Sequence, residues 1–227
     1  MNRSSIYALG ALALLTVGAR ASAQGYYEQT FAPQEPVHWH LQIGYSPTVG
    51  STGQYFDGGI TLGGGLSWRP RPNQPFALRA DIEYSHFGAT RNLIALNEQL
   101  DQIQIDSGYG EVIGLNVDGQ YKRAITPWIS GFALAGIGVD HMRVALTQTV
   151  AYGSYFCDPW FGFCSYGLVP GDMVVASGSS TRLSWNAGVG LDFLLRDGQT
   201  FFVEARYQRI ETSQPTAFVP LTVGLRF

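Results

Sequence analysis

From residue 37 onward, apolar residues return at every second position over most of the chain. A period of two with one apolar face marks a strand whose two sides meet different surroundings. Eight such segments are predicted, near 37–47, 56–69, 76–87, 109–123, 127–144, 181–196, 200–210 and 215–227. In the first, Val37, Trp39, Leu41, Ile43 and Tyr45 oppose His38, His40, Gln42 and Ser46. In the third, Phe76, Leu78, Ala80, Ile82 and Tyr84 oppose Arg79, Asp81, Glu83 and Ser85. The second, fourth, sixth and seventh segments follow the same rule. The fifth breaks it: Trp128, Phe132 and Leu134 take one parity, which Ile137, Val139 and Val144 do not share consistently. A bulge, which inserts one unpaired residue, is the expected cause.

The connections alternate in length. Short turns follow the second, fourth and sixth segments, and longer loops follow the first, third and fifth at about 48–55, 88–108 and 145–180. Aromatics mark both strand ends. Trp39, Trp68, Phe76, Tyr121, Trp128, Phe193, Phe201 and Phe227 lie at the short-turn end. Tyr45, Phe56, Tyr84, Tyr109, Trp185 and Tyr207 lie at the other. Two aromatic rings around an apolar band are what strands crossing a bilayer present at its two interfaces.

The beginning of the chain has the form of a secretory signal. Arg3 precedes the apolar stretch Ile6 to Val17, and Ala21-Ser22-Ala23 has the small-x-small pattern of a cleavage site. Residues 1–23 are therefore assigned to a removed signal peptide, 24–36 to a periplasmic lead-in and 37–227 to one β domain. No later stretch holds the 18 or so consecutive apolar residues of a membrane helix. The net charge is −3 with Arg3 and Arg20 counted, and Lys122 is the sole lysine, which argues against nucleic acid as a partner.

The polar face decides which side meets lipid. Across the strands it carries Arg69, Arg79, Lys122, Arg196, Arg206 and Arg226 against Asp81, Glu83, Asp118, Asp192 and Glu204. Such near-cancelling charges suit a crowded interior where each must be paired to offset its desolvation. With the apolar face outward, the predicted fold is all-β: an eight-stranded antiparallel up-and-down transmembrane β-barrel. The terminal strand puts Leu221, Val223, Leu225 and Phe227 on one face. It resembles the C-terminal signal that outer-membrane barrels present to their insertion machinery. From residue 37 to 227 the chain resembles the small eight-stranded barrels of the OmpA transmembrane domain, OmpX, OmpW and opacity-type surface proteins. The resemblance implies an outer-membrane location, contact with outer-membrane lipid and lipopolysaccharide, and handling by the insertion machinery. A monomer is expected, because a closed barrel leaves no free edge that requires a partner.

An eight-stranded barrel is just wide enough to be filled by its own side chains. The expected interior network is Arg79, Asp81, Glu83, Asp118, Lys122, Asp192, Arg196, Glu204, Arg206 and Arg226. The expected role is structural or surface-binding, through the long loops. Cys157 and Cys164 are the only cysteines, and in an exported chain they are expected to form a disulfide. They frame an aromatic loop with Phe156, Trp160, Phe161, Phe163 and Tyr166, a candidate binding surface. The alternative is a narrow or gated channel, using room left by glycines 63, 65, 114, 188 and 190. A lipid-modifying enzyme would need His86 or another histidine beside a hydroxyl or carboxylate. Ser85 and His86 point to opposite faces, so no catalytic residue is assigned. His38 and His40 have the spacing of a chelating pair, but hydrogen-bonded lumen histidines are commoner; no metal or cofactor is expected. Residues 93–100 fit either a short helix on the rim or a continuation of the flanking hairpin.

Overall fold

A computed structural model describes residues 36–71, 74–101, 104–158, 162–195 and 198–227. The signal segment, nearly all of the lead-in, Trp160, Phe161 and Arg196 lie outside the described residues.

Eight strands close a ring. They are β1 (Val37–Ser46), β3 (Phe56–Trp68), β4 (Phe76–Ala89), β5 (Ser107–Ala124), β6 (Ile129–Asp158), β7 (Phe163–Leu194), β8 (Thr200–Ile210) and β10 (Leu221–Arg226). Each runs antiparallel to the next, and β10 pairs with both β8 and β1, with Leu225 opposite Phe201 on one side and Leu41 on the other. Two short strands, β2 (Thr48–Val49) and β9 (Thr216–Phe218), pair with each other at the long-loop end. Ring closure lets every strand's backbone groups bond a neighbour, as hydrocarbon requires.

The faces are inverted relative to a soluble protein. Trp39, Leu41, Ile43, Ile60, Ile82, Leu115, Val117, Ile137, Leu183 and Val189 are exposed on the outside. Arg79, Asp81, Asn116, Asp118, Asn186, Glu204, Arg206 and Gln208 are buried within. Trp39, Trp68, Phe76, Tyr121, Trp128 and Phe227 stand exposed at the short-turn end, and Tyr45 and Trp185 at the other.

Several expectations change. The fifth strand has no bulge between 127 and 144; its ladder to β7 runs unbroken from Ile129 to Leu146. Phe132 and Leu134 instead point into the barrel, where they cluster with Phe202. Glycine makes the room: a Cβ on Gly190 would stand 2.3 Å from the Phe132 ring, and one on Gly224 would stand 2.5 Å from the Phe202 ring. Phe56 also leaves the predicted outer girdle. It packs at the mouth against Phe87, Val112, Ile210 and Phe218. The last segment breaks into β9 and β10 at Val219-Pro220. Of the two readings of 93–100, the helix holds, as α1 (Arg91–Asp101).

The largest departure is at 145–180. The described residues of this stretch are not an irregular loop: β6 and β7 run on as a two-stranded ribbon to Asp158 and Phe163. β6 leaves β5 after Thr147, and β7 takes up β8 only from Ser184. From Thr147 to Asp158 the ribbon extends roughly 36 Å, at about 3.3 Å per residue. The register shifts once, between Leu146 and Thr147, where Val175 is the extra residue.

Candidate functional site

Two regions carry the side chains from which function can be argued: the lumen and the ribbon. The alternation that turns Leu78, Ala80 and Ile82 of β4 to lipid turns Arg79, Asp81 and Glu83 inward. On β8 it does the same for Glu204 and Arg206, and on β5 for Asp118. The ring brings these six together at mid-height. Arg206 reaches Asp81 and Glu204 at 2.7 Å and Asp118 at 3.4 Å. Arg79 reaches Asp81 at 2.8 Å and Glu204 at 2.5 Å. Gln42 donates to Glu83 at 3.2 Å and accepts from Arg79 at 2.9 Å. Asn186 donates to Asp118 at 2.9 Å, and Gln208 donates to Asp140 at 2.9 Å. Guanidinium forks suit this duty because each offers several donors in one plane.

A second group seals the short-turn end. Asp192 holds Lys122 at 2.6 Å and Arg226 at 2.8 Å. The Arg226 guanidinium lies 5.2 Å from the Phe202 ring centre and 5.9 Å from that of Phe132. A cation between two aromatic faces is attracted by both. The predicted interior network is therefore assembled in two layers, apart from Arg196. Sequence reasoning missed Gln42, Asn186, Gln208, Phe132 and Phe202 as partners of these charges. At the long-loop end, an apolar cavity of about 70 Å³ lies among Phe56, Phe87, Val112, Met142 and Phe218.

The histidines find other partners. His40 sits buried with Nε2 2.8 Å from Asp81, and His38 Nδ1 lies 3.2 Å from the Phe227 carbonyl. They do not converge on a shared point. His86 faces outward, stacked on Tyr109 at 5.4 Å between centroids and 4.0 Å from Glu111. Glu83, its sequence neighbour, faces the lumen, and Ser85 bonds Thr61 inside at 2.7 Å. Tyr84 donates to Glu111 at 2.8 Å, and Arg143 stands 3.9 Å from the same carboxylate. A small polar belt thus crosses the outer surface of β4, β5 and β6.

The ribbon ends in the Cys157–Cys164 disulfide, which joins directly opposite residues. Phe156 and Phe163 occupy register positions beside it. Tyr166 is exposed and meets Tyr155 edge-on, 5.3 Å between centroids. The structure adds Tyr155 and Leu168 to this exposed surface, with Tyr152 exposed on the ribbon's other face.

No known family model matches the chain, and no curated protein matches its sequence. Among solved structures, Neisserial surface protein A is similar at 11% identity, with a TM-score of 0.49, over 85% of this chain and 96% of that one. Ail of Yersinia pestis, solved with the heparin analogue sucrose octasulfate, is similar at 16% identity and 0.44, over 85% and 100%. The outer-membrane enzyme PagL is similar at 17% and 0.41, over 84% and 98%. With identities and scores this low, the assignment rests on the chain's own ring closure and inverted faces. Apolar toward lipid, charged within and closed on itself through eight strands, the chain is an outer-membrane β-barrel.

Proposed function

We propose that this is a sealed surface barrel that anchors the β6–β7 ribbon outside the cell as a binding arm. The observation that carries the reading is the blocked lumen. Arg79 and Arg206, both 1% exposed, are held across it by carboxylates of β4, β5 and β8. A solute would have to separate ion pairs that lie in a poorly solvated interior, each costing several kcal/mol. The glycines that suggested room on sequence grounds are filled by neighbours. A Cβ on Gly65 would meet the Ala80 carbonyl oxygen at 2.1 Å, and one on Gly114 would meet Asp140 at 2.2 Å. The ribbon, by contrast, spends two long strands on surface far from the barrel wall. Exposed apolar surface of that kind marks an interaction site.

Planar-bilayer recording on the refolded mature chain tests the sealed lumen, and deletion of residues 149–171 tests the division of labour. The native chain should give no conductance steps, and the deletion should leave a folded barrel with heat-dependent gel mobility. Steady single-channel steps from the native protein would refute the reading and favour the channel alternative.

A further inference from the structure

The ribbon's outward face is the upward continuation of the lipid-facing wall. On β6 the odd-numbered residues Ala133, Ala135, Ile137 and Val139 face out, and the pairing never slips on that strand. The same parity therefore leads through His141 and Arg143 to Ala151, Gly153, Tyr155 and Cys157. Across the ladder, Val175 lets β7 change parity, so Tyr166, Leu168 and Pro170 share this face. Ala145 and Thr147 of this parity are buried, but the levels below and above them are open to molecules that stand beside the barrel in its outer leaflet. From the membrane upward it presents an apolar band, the charged belt of His86, Glu111 and Arg143, the hydrogen-bonded Thr149 and Asp172, and then an aromatic platform. That is the order of an amphiphile with acyl chains, a charged headgroup and a neutral saccharide.

The platform itself is shaped for flat, uncharged ligands. Between Val144 and Gly171 the only charged residue is Asp158. Tyr155 is 75% exposed and Tyr166 67%. Tyr166 lies over Gly153, where a Cβ would stand 1.8 Å from its hydroxyl oxygen. Only a glycine lets the ring settle onto the ribbon and keep its outer face open. Tyrosine offers a rigid apolar ring with a hydrogen-bonding tip at low entropic cost, which suits the C–H faces and hydroxyls of a sugar. Tyr155 stands eight residues beyond Thr147, roughly 26 Å past the last pair with β5. We propose that the Tyr155–Tyr166 face binds the neutral saccharide chains of the lipopolysaccharide surrounding the barrel. This rests on the surface-binding reading above and names its ligand class.

The test uses the full mature chain refolded in detergent and lipid-free polysaccharide released from smooth lipopolysaccharide by mild acid. Saturation-transfer NMR reads contact between tyrosine ring protons and sugar protons. Transfer should occur with the native chain. The Tyr155→Ala, Tyr166→Ala double variant should bind at least about tenfold more weakly, in line with losing stacked rings. Tyr152→Ala, on the opposite face, should bind like the native chain. Heat-dependent gel mobility reports folding of every variant. Undiminished transfer in the double variant would overturn the proposal, as would binding confined to dextran sulfate and lost in salt. Concentration-dependent dimers that the double variant abolishes and the polysaccharide leaves intact would overturn it too, by making a second copy the occupant. If deletion of 149–171 abolishes binding and the double variant does not, the saccharide platform falls while the surface-binding role stands.

Discussion

Arg206 is the best place to test whether the lumen behaves as a dry, paired interior. Its guanidinium is 1% exposed and faces Asp81, Glu204 and Asp118. Replacing it with alanine leaves Arg79 to serve Asp81 and Glu204, and gives Asp118 only the Asn186 amide. Removing one partner of a buried pair typically costs about 3–5 kcal/mol, because a charge is left without compensation. An exposed pair would cost about 1 kcal/mol or less. Denaturant titration of the refolded barrel in lipid vesicles, followed by gel mobility, gives the difference directly. Adding Asp118→Asn to Arg206→Ala should return part of the loss, with a coupling of about 1–3 kcal/mol. The single variant should also conduct ions where the native chain does not. A loss below about 1 kcal/mol with no coupling would refute the reasoning, since the lumen would then be solvated like a surface.

Other predictions follow from single contacts. Phe227→Asp should lower the yield of folded, heat-modifiable protein in the outer membrane, because the terminal ring is exposed on the lipid face beside β1; normal yield in a membrane fraction would count against an insertion signal. Gly65→Ala should destabilise the barrel by about 1–3 kcal/mol, since the added carbon meets the β4 backbone; the same denaturant titration reads it. Cys157→Ser should loosen the ribbon by about 2–3 kcal/mol of loop closure and leave the barrel's midpoint unchanged. Limited proteolysis should then cut between 148 and 173 before it cuts the barrel.

Where the two faces of a strand meet lipid and a charged lumen, alternation is legible from residue types alone. This is why the facing of β1, β3, β4, β5 and β8 follows from their residue types. It fails where an inward position is apolar. Phe132 and Leu134 look like a parity slip because side-chain type no longer reports side. The complementary signal was in the distant glycines 190 and 224, and only the register connects them. In the ribbon both faces meet water above the membrane, so Tyr152 and Tyr155 both stay exposed and the strand pattern fades into that of a loop. The His86–Glu111 pair was hidden for another reason. It joins neighbouring strands at opposite register positions, which only the strand pairing brings together.

The ribbon is pinned at both ends, by β5 and β8 at its root and by the disulfide at its tip. Its two arms must therefore keep count with each other. One residue added to a single arm has nowhere to slide and must stand out as a bulge, as Val175 does. One residue added to each arm below the platform preserves the count but rotates everything above it to the other side, because faces alternate with a period of two. Tyr155 and Tyr166 would then look over the lumen. A second such pair would turn them outward again, so lengths that keep this face outward come in steps of two residue pairs.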